Sequence, residues 1–192
     1  MEGELIRQTG YNFDQFYAEY LVSKKIPTNW LEWFVGLFEG DGCLSVHNKG
    51  FSFNIYSIHK KTLEEIKIVL GFGNIYFDSQ NIKWRYTVET RYDIYLILLI
   101  LNGNLVLTHR YHNFINVAEE FNKRLFKGKT FLKKIDILYF AALPTLNDRW
   151  FAGFRDAEGH FGLPIELGRL SISHYISITF EIGQNGNRWL FF

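Results

Sequence analysis

Hydrophobic and polar positions change period several times along this chain, and each change marks an element. "CLSVHN" and "FSFNIYSIH" alternate apolar and polar residues around a turn at Asn48-Lys49-Gly50, which predicts a β-hairpin. "KTLEEIKIVLG" places Leu63, Ile66 and Leu70 at helical spacing and ends on Gly71, a helix stop. "NIYFD" and "IKWRYTVET" predict a second hairpin across Ser79-Gln80. "RYDIYLILLILN" and "RYHNFINVAEEFNKRLF" then read as helices. The apolar run "IYLILLIL" stops at Asn102, far short of the ~20 residues that span a bilayer, so it predicts a buried helix and no membrane partner. With the apolar helix at 29–41 the first half reads α-β-β-α-β-β-α plus one extra helix. Residues 126–142 read as a linker, basic at "KGKTFLKK", followed by a short helix, "IDILYFAAL". Lys127, Lys129, Lys133 and Lys134 there read as a solvated face, with phosphate contact the minority alternative.

The strongest pattern is a repeat. "IPTNWLEWFVGLFEGDG" at 26–42 overlays "LPTLNDRWFAGFRDAEG" at 143–159 at a constant offset of 117 residues, Gly36 to Gly153. Pro27, Thr28, Trp33, Phe34, Gly36 and Gly42 meet identical residues; Glu39 meets Asp156 and Asp41 meets Glu158. Each copy predicts a helix, 29–41 and 146–158. Thr28/Asn29 and Thr145 are expected caps, with Glu32 and Asp148 as the acids of capping boxes. Gly42 and Gly159 are expected left-handed terminators. Gly36/Gly40 and Gly153/Ala157 stack one turn apart, making small faces along which two helices can pack closely.

Asp41 and Glu158 then meet at two helix C-termini, where the dipole already disfavours negative charge. Glu39 and Asp156 add charge nearby. A hard divalent cation resolves this repulsion: Mg²⁺ fits, because it takes carboxylate oxygens, keeps waters and shares phosphate oxygens. A pseudo-twofold pair of such acids suits cutting two antiparallel strands of one duplex.

Alternation also predicts a wet sheet face carrying Ser45, His47, Ser52, Asn54, Tyr56, Tyr76, Lys83, Arg85 and Thr87, types suited to base edges and phosphates. The bland reading of that face is an ordinary solvated sheet. Trp33 and Trp150 read as core anchors, and His47 and His59 as polar surface residues.

"FVGLFEGDG" and "FAGFRDAEG" resemble the two signature helices of the LAGLIDADG homing endonucleases, in the single-chain, double-motif form. The resemblance implies a pseudo-twofold α+β fold whose α-β-β-α-β-β-α repeats each present an antiparallel DNA-binding sheet. It implies an intron-encoded, sequence-specific, double-stranded DNA endonuclease, with Asp41 and Glu158 as catalytic and metal-binding acids. The carbonyls of Gly40 and Ala157 would assist with Mg²⁺ or another divalent cation, while Glu39 and Asp156 would be structural. A basic residue is expected near the site, with Lys83, Arg85 and Arg110 as candidates. Arg155 stands where an apolar residue is usual, implying altered packing or a local salt bridge. The resemblance divides the chain into a first repeat with an N-terminal extension (1–125), the linker (126–142) and a partial second repeat (143–192). Aligning "IGQ" at 182–184 with "SIH" at 57–59 leaves that second repeat incomplete. An RNA-binding intron maturase, with intron RNA as partner, and an inactive remnant are the competing readings. A completed second repeat would make the protein a pseudo-symmetric monomer.

Composition adds three limits. The chain has 192 residues, 47% of them hydrophobic, enough for a sizeable core, and a formal net charge of +1 that excludes a strongly basic tail. The single cysteine permits no intrachain disulfide. The skew to Phe, Tyr, Ile, Leu and Asn suggests an AT-rich organellar gene, mitochondrial rather than plastid.

Overall fold

The computed structural model describes residues 5–21, 25–125, 131–162, 165–166, 175–176 and 179–182, with side chains as far as Glu158. A short strand β1 (Arg7–Thr9) and helix α1 (Asp14–Glu19) precede α2 (Thr28–Asp41). Then come β2 (Gly42–His47), β3 (Gly50–Ser57), α3 (Lys60–Leu70), β4 (Asn74–Asp78), β5 (Lys83–Val88), α4 (Arg91–Leu101) and α5 (Thr108–Leu125). The expected order and the extra helix are both present. After β6 (Ala141–Leu143) follow α6 (Trp150–Glu158), β7 (Gly159–Gly162), β8 (Ile165–Glu166), β9 (Tyr175–Ile176) and β10 (Thr179–Ile182).

Strands β2 to β5 form one antiparallel sheet in the order β2-β3-β5-β4. One face carries Leu44, Phe53, Ile55, Tyr86 and Val88 into the core. Phe53 is the hinge of that packing: it stacks on Phe38 of α2 at 5.1 Å and meets Tyr86 edge-on. Helix α3 lays Leu63, Ile66 and Leu70 against the sheet and ends on Gly71, whose φ of 79° is the left-handed stop expected of it. Ile94 to Leu101 of α4 are all buried, as an apolar run with no polar stripe requires. Among the described residues no helix is long and apolar enough to cross a membrane.

Helices α2 and α6 pack backbone to backbone. A Cβ on Gly36 would lie 2.0 Å from the Trp150 carbonyl oxygen, and one on Gly153 would lie 1.8 Å from that of Trp33. The two contacts are mates under the 117-residue repeat. A Cβ on Gly40 would meet the Cβ of Ala157 at 2.4 Å. So α2 is buried on every side from Phe34 to Glu39, between the sheet and its partner helix.

Four expectations need correction. No side chain caps α2, and α6 begins at Trp150 rather than 146, although the expected Thr145–Asp148 pair does form ahead of it: Asp148 accepts the Thr145 N–H and hydroxyl and also the Trp150 N–H. Glu32 forms no capping box with Asn29; it accepts the Arg149 N–H across the helix pair. Gly42 is extended, with φ −90° and ψ 160°, because the chain passes straight into β2; it must be glycine because a Cβ would lie 2.1 Å from the Phe38 ring. The helix expected at "IDILYFAAL" does not form. Buried Asn122 binds both backbone groups of Ile135, Asn102 accepts the Leu138 N–H and donates to the Asp136 carbonyl, and β6 pairs in parallel with β1. These long-range partners satisfy the backbone better than a helix of its own would. Asn122→Ala leaves that buried peptide unpaired and should cost about 2 kcal/mol in urea unfolding, whereas an exposed change such as Lys49→Ala should cost almost nothing.

The pairing of β7 with β10 sets Gly159 opposite Ile182, as Gly42 sits opposite Ile55. Ile182 is therefore the counterpart of Ile55, which shifts the "IGQ" alignment by two residues. Lys127 and Lys129 lie outside the described residues, and Lys133 pairs with Glu19.

Candidate metal and nucleic-acid site

The glycine seam delivers the two expected acids to one place. Gly40 and Ala157 touch, and the Cγ of Glu158 would lie 3.0 Å from a Cβ on Gly40, so Glu158 and Asp41 flank the same crossing. Burial pushes the Asp41 carboxyl up to about 6, and the neighbouring Glu158 pushes it the same way; Lys83 and Arg110 oppose them. The rise comes first from burial and second from the carboxylate of Glu158 across the crossing.

Glu39 and Asp156 do not join them. The Trp150 indole donates to Glu39 and the Trp33 indole donates to Asp156, again as mates under the repeat. Glu39 is wholly buried and also accepts the N–H groups of Val106 and Leu107, which fixes the loop between α4 and α5 to α2. Burial raises its carboxyl to about 7 even so. Asp156 is exposed and pairs with Arg155, the local ion pair expected of that departure. Trp33 and Trp150 are thus anchors with a polar task. The four-acid cluster reduces to two acids, and among the described residues no group of three or more His, Cys, Asp or Glu could hold a metal.

Arg110, from the first turn of α5, closes the end of α2. Its guanidinium donates to the carbonyls of Glu39, Gly40 and Gly42. Of the candidate basic residues, Lys83 and Arg110 both bear on Asp41, and Arg110 already holds one lone pair of the Gly40 carbonyl. The electron-rich crossing fits a hard divalent cation through Asp41, Glu158 and the second lone pair of Gly40, with remaining ligands from water and phosphate.

The register places every residue of the expected wet face on one side of the sheet. Ser45 pairs with Ser52, Asn54 with Thr87, and Tyr56 with Arg85, which pairs in turn with Tyr76. The middle of that face is not open, however. Ser52, Asn54 and Thr87 are buried, and with His47 they make a hydrogen-bonded ladder: Thr87 donates to Asn54, Asn54 to Ser52, and Ser52 meets the His47 ring at 2.7 Å. Short polar side chains pairing with one another sink below their longer neighbours. The accessible set is Ser45, His47 and Tyr56, with Tyr76, Lys83 and Arg85 on the β4–β5 side. Exposed Cys43 shares the face, and its Sγ meets the Ser45 hydroxyl.

Sequence reasoning missed the indole–carboxylate exchange and the three carbonyls held by Arg110. The first was available, because tryptophan and acid recur at the same offset. The second was not, because nothing local links Arg110 to residues some 70 positions earlier.

Residues 34–121 match the model of a family described as LAGLIDADG endonuclease. The chain is 30% identical over 190 residues to "Probable intron-encoded endonuclease 4" of Neurospora crassa, covering 97% of this chain and 33% of that protein. It therefore spans about a third of the length of the curated relative it matches. Among solved structures, the LAGLIDADG meganuclease I-CpaMI bound to uncleaved DNA superposes with a TM-score of 0.52 at 15% identity, over 81% of this chain and 70% of that one. The meganuclease I-AabMI bound to uncleaved DNA matches at 22% identity and a TM-score of 0.49, over 78% and 65%.

Proposed function

We propose that this chain, whose residues 34–121 match the LAGLIDADG endonuclease family model, is a member of that family and acts in sequence-specific hydrolysis of double-stranded DNA with a divalent cation. The observation that carries this reading is the seam itself. Two acids from two repeats meet beside a polar sheet face, and Lys83 of that face already bears on Asp41. We assign Mg²⁺ as the cation and Asp41, Glu158 and the carbonyls of Gly40 and Ala157 as its protein ligands. When bound there, it would activate a water and stabilise the leaving oxygen of the phosphodiester. Asp41 and Glu158 must be ionised to hold it. Arg110 keeps the carbonyl end of α2 in place and offsets the local negative charge. Both acids lie in one chain, which supports action as a monomer. The name of the intron-encoded relative supports an intron as the source, and the residue skew alone is what favours a mitochondrial one.

The test is selection of bound duplexes from a random DNA library, followed by incubation of the winners with Mg²⁺ or with chelator. Selection of a defined site and its metal-dependent cutting are expected. Retention of intron RNA without any duplex preference would replace this reading with the maturase one. Lys83 is exposed and makes no ion pair among the described residues. Lys83→Ala should weaken binding alike across sequences and lower the salt slope by about one. An unchanged slope would remove Lys83 from the phosphate contacts.

A further inference from the structure

Four arginines donate to groups of the protein itself. Arg7 donates to the carbonyls of Val106 and Ala142, Arg124 to Glu120 and the His47 carbonyl, Arg155 to Asp156, and Arg110 to the end of α2. Arg85 does not. Its Nε is shielded from solvent with no hydrogen-bond partner, and it joins no ion pair among the described residues. What holds it is a ring: its guanidinium carbon lies 5.9 Å from the centroid of Tyr76. The register puts Tyr56, Arg85 and Tyr76 in one row across β3, β5 and β4, on the polar face.

A guanidinium offers five donors in a fixed plane and accepts nothing. Leaving one of those donors buried and unpaired costs the folded protein free energy. This arrangement suits an arriving partner with two acceptors side by side in one plane. Phosphate and guanine both qualify, and the position separates them. Lys83 stands nearer the hairpin tip, exposed, as a flexible point charge suited to phosphate. Arg85 is half-buried inside the strand, with its plane limited by an aromatic neighbour. A strand lying in a major groove turns such an interior position toward base edges, where guanine presents O6 and N7 to a single fork.

We infer that Arg85 is the specificity-determining residue for one guanine in the DNA site, and that Tyr76 positions it. This rests on the DNA-binding reading above. It goes further in separating one base-reading side chain from the rest of the face, whose centre is occupied with its own hydrogen bonds.

The experiment is binding-site selection with the wild-type chain, then affinity measurements against the four bases at each position for Arg85→Lys, Arg85→Ala, Tyr76→Phe and Tyr76→Ala. Circular dichroism and melting curves should show all four variants folded. Both Arg85 variants should lose a guanine preference of roughly 5- to 150-fold at the same single position. Arg85→Lys should keep most affinity for duplexes that lack that guanine. Tyr76→Phe keeps the ring and should preserve the preference, while Tyr76→Ala should weaken it. If the wild-type chain selects a site and Arg85→Lys leaves every position's preference intact, Arg85 contacts phosphate and the inference is overturned while the DNA-binding reading stands. If the wild-type chain selects no site at all, both fall.

Discussion

Gly153→Ala is expected to destabilise the protein by about 4 kcal/mol or more, most of the margin of a domain at the low end of ordinary stability. The added methyl carbon would lie 1.8 Å from the Trp33 carbonyl oxygen, 2.7 Å from its carbon and 2.8 Å from the Leu37 nitrogen. All three are backbone atoms of a buried helix, so no side chain can swing aside to make room. The helices must part by more than an ångström. Parting them also draws the Trp150 indole from Glu39 and the Trp33 indole from Asp156, and a buried carboxylate then loses a donor. Gly36→Ala meets the mirror-image obstruction and should behave alike. Gly50→Ala is the control: a Cβ there meets nothing within 4 Å, and the cost should stay near half a kcal/mol. Urea unfolding of the three variants decides it. A Gly153→Ala protein within 1 kcal/mol of wild type would mean that the seam is not as close as described.

Asp41→Asn should reduce cleavage by at least about 10²-fold, while the metal-free protein becomes more stable. The two effects share one cause. The substitution keeps the shape of the side chain and removes the charge that holds the cation. It also removes a carboxylate whose burial, and whose neighbour Glu158, already disfavour ionisation. Asp41 ionises near 6 in the folded protein against an ordinary 3.8. Between those values the folded state keeps a proton that the unfolded chain has released. Stability from this group therefore falls as pH rises through that window, and the full cost is present above 6. With solvent screening allowed for, the cost is on the order of 1 kcal/mol. The variant should thus melt a few degrees higher than wild type at pH 7.5 in chelator, and the gap should close below about pH 4. At limiting Mg²⁺ the wild type should lose metal binding and cleavage as pH drops through about 6, and added Mg²⁺ should move that loss to lower pH, because the cation and the proton compete for Asp41. Wild-type cutting rates in the variant would refute the assignment of Asp41. A lower melting temperature in chelator would refute the electrostatic account of the crossing.

Local patterns proved legible where their causes are local. The sheet follows from alternation, α3 from Leu63, Ile66, Leu70 and Gly71, and the helix pair from small residues repeated at one offset. The polar face could be read by residue number, but its access could not, because Ser52, Asn54 and Thr87 are hidden by bonds to one another across strands. The stretch from Ile135 to Leu138 looked helical by period. Asn102, 36 positions from Leu138, and Asn122, 13 from Ile135, hold it extended, and an apolar period does not register such side-chain partners. Gly42 was placed correctly for a mistaken reason: glycine is needed there for room beside Phe38, not for a left-handed turn.

The closest approaches between α2 and α6 involve no side chain at all at Gly36 and Gly153, only carbonyl groups facing bare Cα positions. A joint made this way does not record which residues surround it. Any two halves that keep those gaps, the tryptophans and the acids they bind should mate at the same angle, whatever their sheets recognise. The reading surfaces are then free to diverge independently, and a half taken from one such chain can be grafted onto another without redrawing the joint.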